Sequence, residues 1–160
     1  MRVLVTGAAG MIGRKLCDRL VVEGSIAGRP IESVHLVDVV APSPPVSARL
    51  PAFCEARDLA APSTATELIA ARPDVVFHLA AVVSGEAESD FDKGYAINVD
   101  ATRRLFEAIR QARHRSGGAY RPRLVYASSI AVFGAPFPET ITRTVSAMMV
   151  RSKTIDWCLM

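Results

Sequence analysis

The chain has 160 residues, half of them hydrophobic, with 19 Lys plus Arg against 16 Asp plus Glu. That is the length of one domain with material for a sizeable core, and a formal net charge of +3 is too small to point to nucleic acid. No stretch is long and apolar enough for a membrane, and the three scattered cysteines (Cys17, Cys54, Cys158) form neither a metal spacing nor a disulfide framework. A reducing, cytoplasmic setting is expected, without nucleic-acid or membrane partners.

Strands and helices alternate along the chain. A strand over Arg2–Thr6 runs into the turn Gly7-Ala8-Ala9-Gly10-Met11-Ile12-Gly13, and a helix follows over Met11–Glu23. Ser33–Asp38 reads as a second strand, and Ala52–Ala56 as a third. Ser63 or Thr64 is placed to cap a short helix through Ala71. Asp74–Leu79 is a fully buried fourth strand. A long helix is predicted from Asp92 to Arg115, with Ile97, Ala101, Leu105, Ala108 and Ile109 at helical spacing. Arg123–Ala127 is the fifth strand. The alternation predicts an α/β, doubly wound parallel sheet of the Rossmann type with strand order 3-2-1-4-5.

The glycine turn has the context that a phosphate-binding loop needs. Gly7 allows the sharp turn, Gly10 lets a pyrophosphate approach the backbone, and Gly13 lets the helix sit close to the strand. The helix start offers N–H groups and a positive dipole end. Asp38, at the end of the second strand, is suited to accept from ribose hydroxyls and to repel a 2′-phosphate, which favours NAD over NADP. The competing readings are a turn acid before the proline-rich loop, and a phosphate preference from Arg14. Ligands of such sheets lie beyond the carboxyl ends of the strands. Asp58 and Leu59 fall there, with Asp58 either meeting the adenine amino group or capping a turn. Leu79, Ala80, Ala81 and Val82 fall there too, small enough to pass under ribose and phosphates. His78 reads as a packed histidine rather than a catalyst. Ser128 and Ser129 either polarise a substrate oxygen or cap the local backbone.

Taken together, these residues resemble the extended branch of the short-chain dehydrogenase/reductase superfamily, the epimerase/dehydrogenase branch. Thr6–Gly13 looks like its TGxxGxxG turn. His78-Leu79-Ala80-Ala81 looks like its cofactor loop, and Asn98–Thr102 like its helix-borne Asn segment. Tyr126–Gly134 resembles its active-site serine strand, in which Ser129 takes the catalytic position. The resemblance runs from about Met1 to Thr140. It implies an NAD cofactor held by Gly7, Ala9, Gly10, Met11, Ile12, Gly13, Asp38, Asp58, Leu59, Leu79, Ala80, Ala81, Val82 and Asn98. It also implies a homodimer through the helix at 92–115. The stretches Val82–Phe91 and Ile130–Pro138 look most like the D-erythronate dehydrogenase group, associated with small sugar acids. The implied activity is oxidation of a hydroxyl to a ketone. The alternatives are a nucleotide-sugar epimerase or dehydratase, or a non-catalytic dinucleotide-binding remnant.

The chain departs from that family at its end. The family places Tyr-x-x-x-Lys after the serine strand, with tyrosine as acid/base and lysine lowering its pKa. Here the tyrosines are Tyr95, Tyr120 and Tyr126, all before Ser129, and Lys153 has Met149 four residues earlier. Residues 1–140 therefore read as the N-terminal, cofactor-binding part of a larger fold, without its substrate lobe. Residues 141–160 read as an atypical tail. With permitted codons, a shifted frame around Met148-Met149-Val150 spells Tyr-Asp-Gly-x-Lys, so a frameshifted or truncated and inactive product is expected; the alternative is an authentic, divergent end.

Overall fold

Five short runs, four of them rich in valine and leucine, lie side by side as a parallel sheet. The computed structural model describes residues 1–45 and 50–128. Ser129, the Ile130–Pro138 stretch and the tail at 141–160 lie outside the described residues. The elements are β1 (Arg2–Thr6), α1 (Met11–Glu23), β2 (Ser25–Ile26), β3 (Arg29–Pro30), β4 (Ser33–Asp38), β5 (Ala52–Ala56), α2 (Thr64–Ala70), β6 (Val75–His78), α3 (Ser84–Ser89), α4 (Phe91–Tyr95), a π-helical turn over Ala96–Ala101, α5 (Thr102–Arg115) and β7 (Arg123–Tyr126). The sheet runs β5-β4-β1-β6-β7, with every neighbouring pair parallel, as the alternation predicts.

Strand β1 is central, and its side chains alternate between two cores. Val3 and Val5 join Val34, Leu36, Cys17, Leu20 and Val21 on the face covered by α1. Leu4 joins Val37, Val76, Leu68, Ile69, Leu105 and Ile109 on the face covered by α2 and α5. Both faces are covered, so the middle of β1 and the start of β6 are unbroken apolar runs. Cys17 is one of these core groups, and burial is the main reason its thiol is pushed up to about 11. It is therefore an inert thiol.

Local signals explain most boundaries. Helix α1 ends at Gly24, whose φ of 63° is left-handed and whose N–H closes on Leu20 O. The small β2–β3 hairpin, absent from the sequence reading, turns through Ala27 and Gly28, both at positive φ. Ser63 does occupy the N-cap of α2, but its hydroxyl makes no cap bond. This corrects the expected capping role for Ser63, which sits in αR geometry rather than in the extended conformation of a capping residue. The predicted long helix is one run that starts at Phe91 and passes through the π turn. Among the described residues, no helix is long and apolar enough to cross a membrane.

Candidate active site: a cleft over the strand ends

The carboxyl ends of β1, β4, β5 and β6 open into a cleft of about 640 Å³. Its floor is the turn after β1. Gly7 has a φ of +75°, and a Cβ there would come within 2.5 Å of Ala80 N. Gly7 is thus required by its own conformation and by the loop after β6. A Cβ on Gly13 would overlap Gly7 O and Ala8 Cα, so the start of α1 rests directly on the turn. Gly10 is different. It is exposed, lines the cleft, and a Cβ there would meet only Gly7 O, at 3.3 Å. A Cβ there would press on that one backbone oxygen and would also stand in the way of a ligand approaching the backbone. No side chain caps α1 at Gly10, and its first turn holds no acid, so its positive end is left for an anion.

Asp38 joins the second strand end to this turn. Its Oδ2 accepts from the Ala9 N–H at 2.9 Å, and its Oδ1 accepts from the Val39 N–H at 2.7 Å. The half-buried carboxylate lines the cleft. Asp58 also lines it, and its Oδ1 accepts from the Ala60 N–H at 2.7 Å, so the carboxylate caps a turn while facing the cleft. Leu59 presents itself to the cleft, yet is 6% exposed and belongs to the core. Leu79, Ala80, Ala81 and Val82 form the opposite wall. Met11 and Ile12 are exposed at the start of α1 but do not line the cleft, and neither does Gly13. Arg14 is exposed and also stands outside the lining.

Two side chains hold the β6 wall from behind. Asn98, in the π turn, accepts from the Val82 N–H through Oδ1 at 2.9 Å and donates from Nδ2 to Val82 O at 3.0 Å. It does not line the cleft; it fixes the loop that does. His78 is buried, with Thr6 Oγ1 2.7 Å from Nδ1 and Thr102 Oγ1 2.9 Å from Nε2. Burial pulls its pKa down to about 4. At neutral pH it is an uncharged link between β1, β6 and α5, as its packed reading expects.

The sequence reading missed Val39, Val40, Arg57, Glu86, Lys93 and Ile97, which also line the cleft. Val39 and Val40 carry a signal, since they directly follow the second strand end. The others arrive through α3, the helical run and the β5 end, whose approach no spacing announces. The tyrosines lie elsewhere. Tyr120 donates to Pro73 O at 2.9 Å beneath Arg72, and burial is the main reason its phenol is pushed up to about 12. Tyr95 packs at a tilt against Phe91, and Tyr126 packs at a tilt against His78 and edge-on to Phe106. Ser128 is exposed just after β7. Among the described residues, no group of three or more His, Cys, Asp or Glu could hold a metal ion.

The NAD dependent epimerase/dehydratase family model matches residues 3–152, past the Thr140 at which the motif resemblance stops. A D-erythronate dehydrogenase of Cupriavidus necator is 40% identical over 145 residues, which cover 88% of this chain and 42% of that protein. A crystal structure of the nucleoside-diphosphate-sugar epimerase from Agrobacterium tumefaciens is 56% identical, with a TM-score of 0.82 over 86% of this chain and 40% of that one. A mutant of uronate dehydrogenase from Agrobacterium tumefaciens, complexed with NAD, is 30% identical, with a TM-score of 0.59 over 80% of this chain and 40% of that one. The chain spans about two fifths of the length of these relatives.

Proposed function

The chain belongs to the NAD dependent epimerase/dehydratase family, and on that premise we propose that its cleft binds NAD as the cofactor-binding part of a dehydrogenase acting on a small sugar acid. The observation that carries the reading is the open Gly10 beside a carboxylate bonded to the same turn. The donor set fits the cofactor. The backbone at Ala9–Gly10 and the start of α1 would take the pyrophosphate, Asp38 would accept from the adenosine ribose, and Asp58 would face the adenine amino group. The Leu79–Val82 wall, held by Asn98, would pass under the nicotinamide-side ribose. Bound NAD supplies a hydride acceptor. Ser129 would hydrogen-bond the substrate oxygen during oxidation of a hydroxyl to a ketone, as the sequence motif suggests. The helical run from Phe91 would serve a homodimer: Phe91, Tyr95 and Val99 are four residues apart and 71%, 52% and 44% exposed.

The similarity to D-erythronate dehydrogenase supports the sugar-acid substrate. A nucleotide-sugar epimerase is the second reading, favoured by the 56% identity to the Agrobacterium tumefaciens structure. Both need an acid/base that these residues do not supply, because no Tyr-x-x-x-Lys occurs in the sequence. The purified chain with NAD and D-erythronate should therefore form no NADH above background, since positioned acid/base groups contribute about 10²–10⁴-fold. NADH at rates typical of an intact dehydrogenase would overturn the catalytic assignment. Joined to the C-terminal remainder of the Cupriavidus necator relative, the chain should support NADH formation from D-erythronate. Activity only when joined to the remainder of the epimerase would favour the second reading.

A further inference from the structure

Arg57 stands directly after β5, beside the acid proposed to read the ribose. Its N–H donates to Asp38 O at 2.7 Å, and the residue lines the cleft. By residue type alone, an arginine here would welcome the 2′-phosphate of NADP. Its bonds say otherwise. Nη1 lies 3.0 Å from Glu55 Oε1, and Nη2 is ion-paired to Glu67 Oε2 across on α2. Glu55 also meets His35 Nε2 at 3.0 Å, which fixes its position. The other cation lining the cleft, Lys93, is paired with Glu86 on the helical side.

We propose that Glu55 and Glu67 form a carboxylate clamp that withholds Arg57 from a 2′-phosphate, and so make this cleft selective for NAD over NADP. The proposal rests on the NAD-binding reading of the cleft. The physical reason is charge. A phosphate reaching Arg57 would meet Glu55 and Glu67 on the same guanidinium, two carboxylates against one cation. It would also have to take donors already aligned on carboxylates. The clamp is accessible rather than entombed: the side chains of Arg57, Glu55 and Glu67 are 28%, 39% and 53% exposed. Exposed pairs of this kind contribute little to stability, so the clamp can be opened without unfolding the domain.

The test is calorimetric titration of the purified 160-residue chain with NAD and with NADP at one ionic strength. The wild-type chain should bind NAD more tightly. The double variant Glu55→Gln/Glu67→Gln should bind NADP about tenfold more tightly than the wild type, as expected for a freed charge-assisted contact, with NAD affinity changed less than about twofold. Adding Arg57→Met to the double variant should erase the gain. Arg57→Met alone should leave NADP affinity where it was, and this variant decides the matter if the double variant does not fold. An unchanged NADP-to-NAD ratio in a folded double variant, a gain that survives Arg57→Met, or a loss of NADP affinity in Arg57→Met alone would each overturn the clamp. A wild-type chain that binds neither dinucleotide would overturn the cleft reading itself, a result distinct from all of these.

Discussion

At 1% exposure, His78 has no water to solvate a charge, and its two ring nitrogens are met by the hydroxyls of Thr6 and Thr102. Burial lowers its pKa from 6.5 to about 4 in the folded state. Above pH 6.5 the histidine is neutral folded and unfolded, so it costs nothing. As pH falls from 6.5 towards 4, the unfolded chain gains a proton that the folded chain refuses, and stability drops by about 3 kcal/mol. Denaturant midpoints for wild type and His78→Gln should diverge in slope across that window, the variant being less stable at pH 7 but flatter below 6.5. Parallel curves would exclude the histidine as the source. The glycines separate by the same kind of reasoning. Gly7→Ala strains a positive φ and strikes Ala80, and Gly13→Ala strikes the turn, so each should destabilise by about 2 kcal/mol or more. The packed role of His78 was legible as a polar residue ending an apolar strand. The role of Asn98 on Val82 was not, because a bond spanning sixteen residues leaves no trace in local spacing.

Among the elements, the helical run from Phe91 to Arg115 shows where sequence pattern stops. The periodicity places Ala101, Leu105, Ala108 and Ile109 on one face, and all four are buried. Ile97, put on the same stripe, lines the cleft instead. The wider π turn over Ala96–Ala101 spreads one turn over more residues and so shifts the rotational phase, and residues before it present a different face from those after it. That rotation lets Asn98 face the Val82 backbone while Ala101 faces the core. Asn98→Ala should therefore speed hydrogen exchange at the Val82 amide and cost about 1–2 kcal/mol, leaving the sheet amides protected. Uniform loss of protection would show that the contact serves global stability rather than the wall. β1, β4 and β5 fall on the residues predicted; in β1 and β4 the buried valine-rich runs bounded by turn residues are strong signals. The hairpin β2–β3 has strands of two residues each, too short for any period, and α3 is polar and carries Gly85, so neither was legible.

For the molecule as a whole, one end of the sheet gathers the turn after β1, Asp38, Asp58 and the loop after β6. Two cores, one on each face, hold those strand ends in register, so the cleft is built by the parts that are most firmly packed. The order of strands and the place of the cleft follow from alternation and topology, which the sequence displays. The charge setting of the cleft does not: Arg57 meets Glu67, and Lys93 meets Glu86, only after β5, α2, α3 and α4 are placed. Calorimetric titration of NAD into wild type and Gly10→Val tests whether this cleft binds NAD through the turn at Gly10. The wild type should bind NAD saturably and one-to-one and Gly10→Val should not, the variant losing about 1 kcal/mol of stability because valine replaces a glycine N-cap and its Cβ would sit 3.3 Å from Gly7 O. A folded wild type that shows no heat of binding, or a Gly10→Val chain that binds NAD as well as the wild type, would contradict that binding mode.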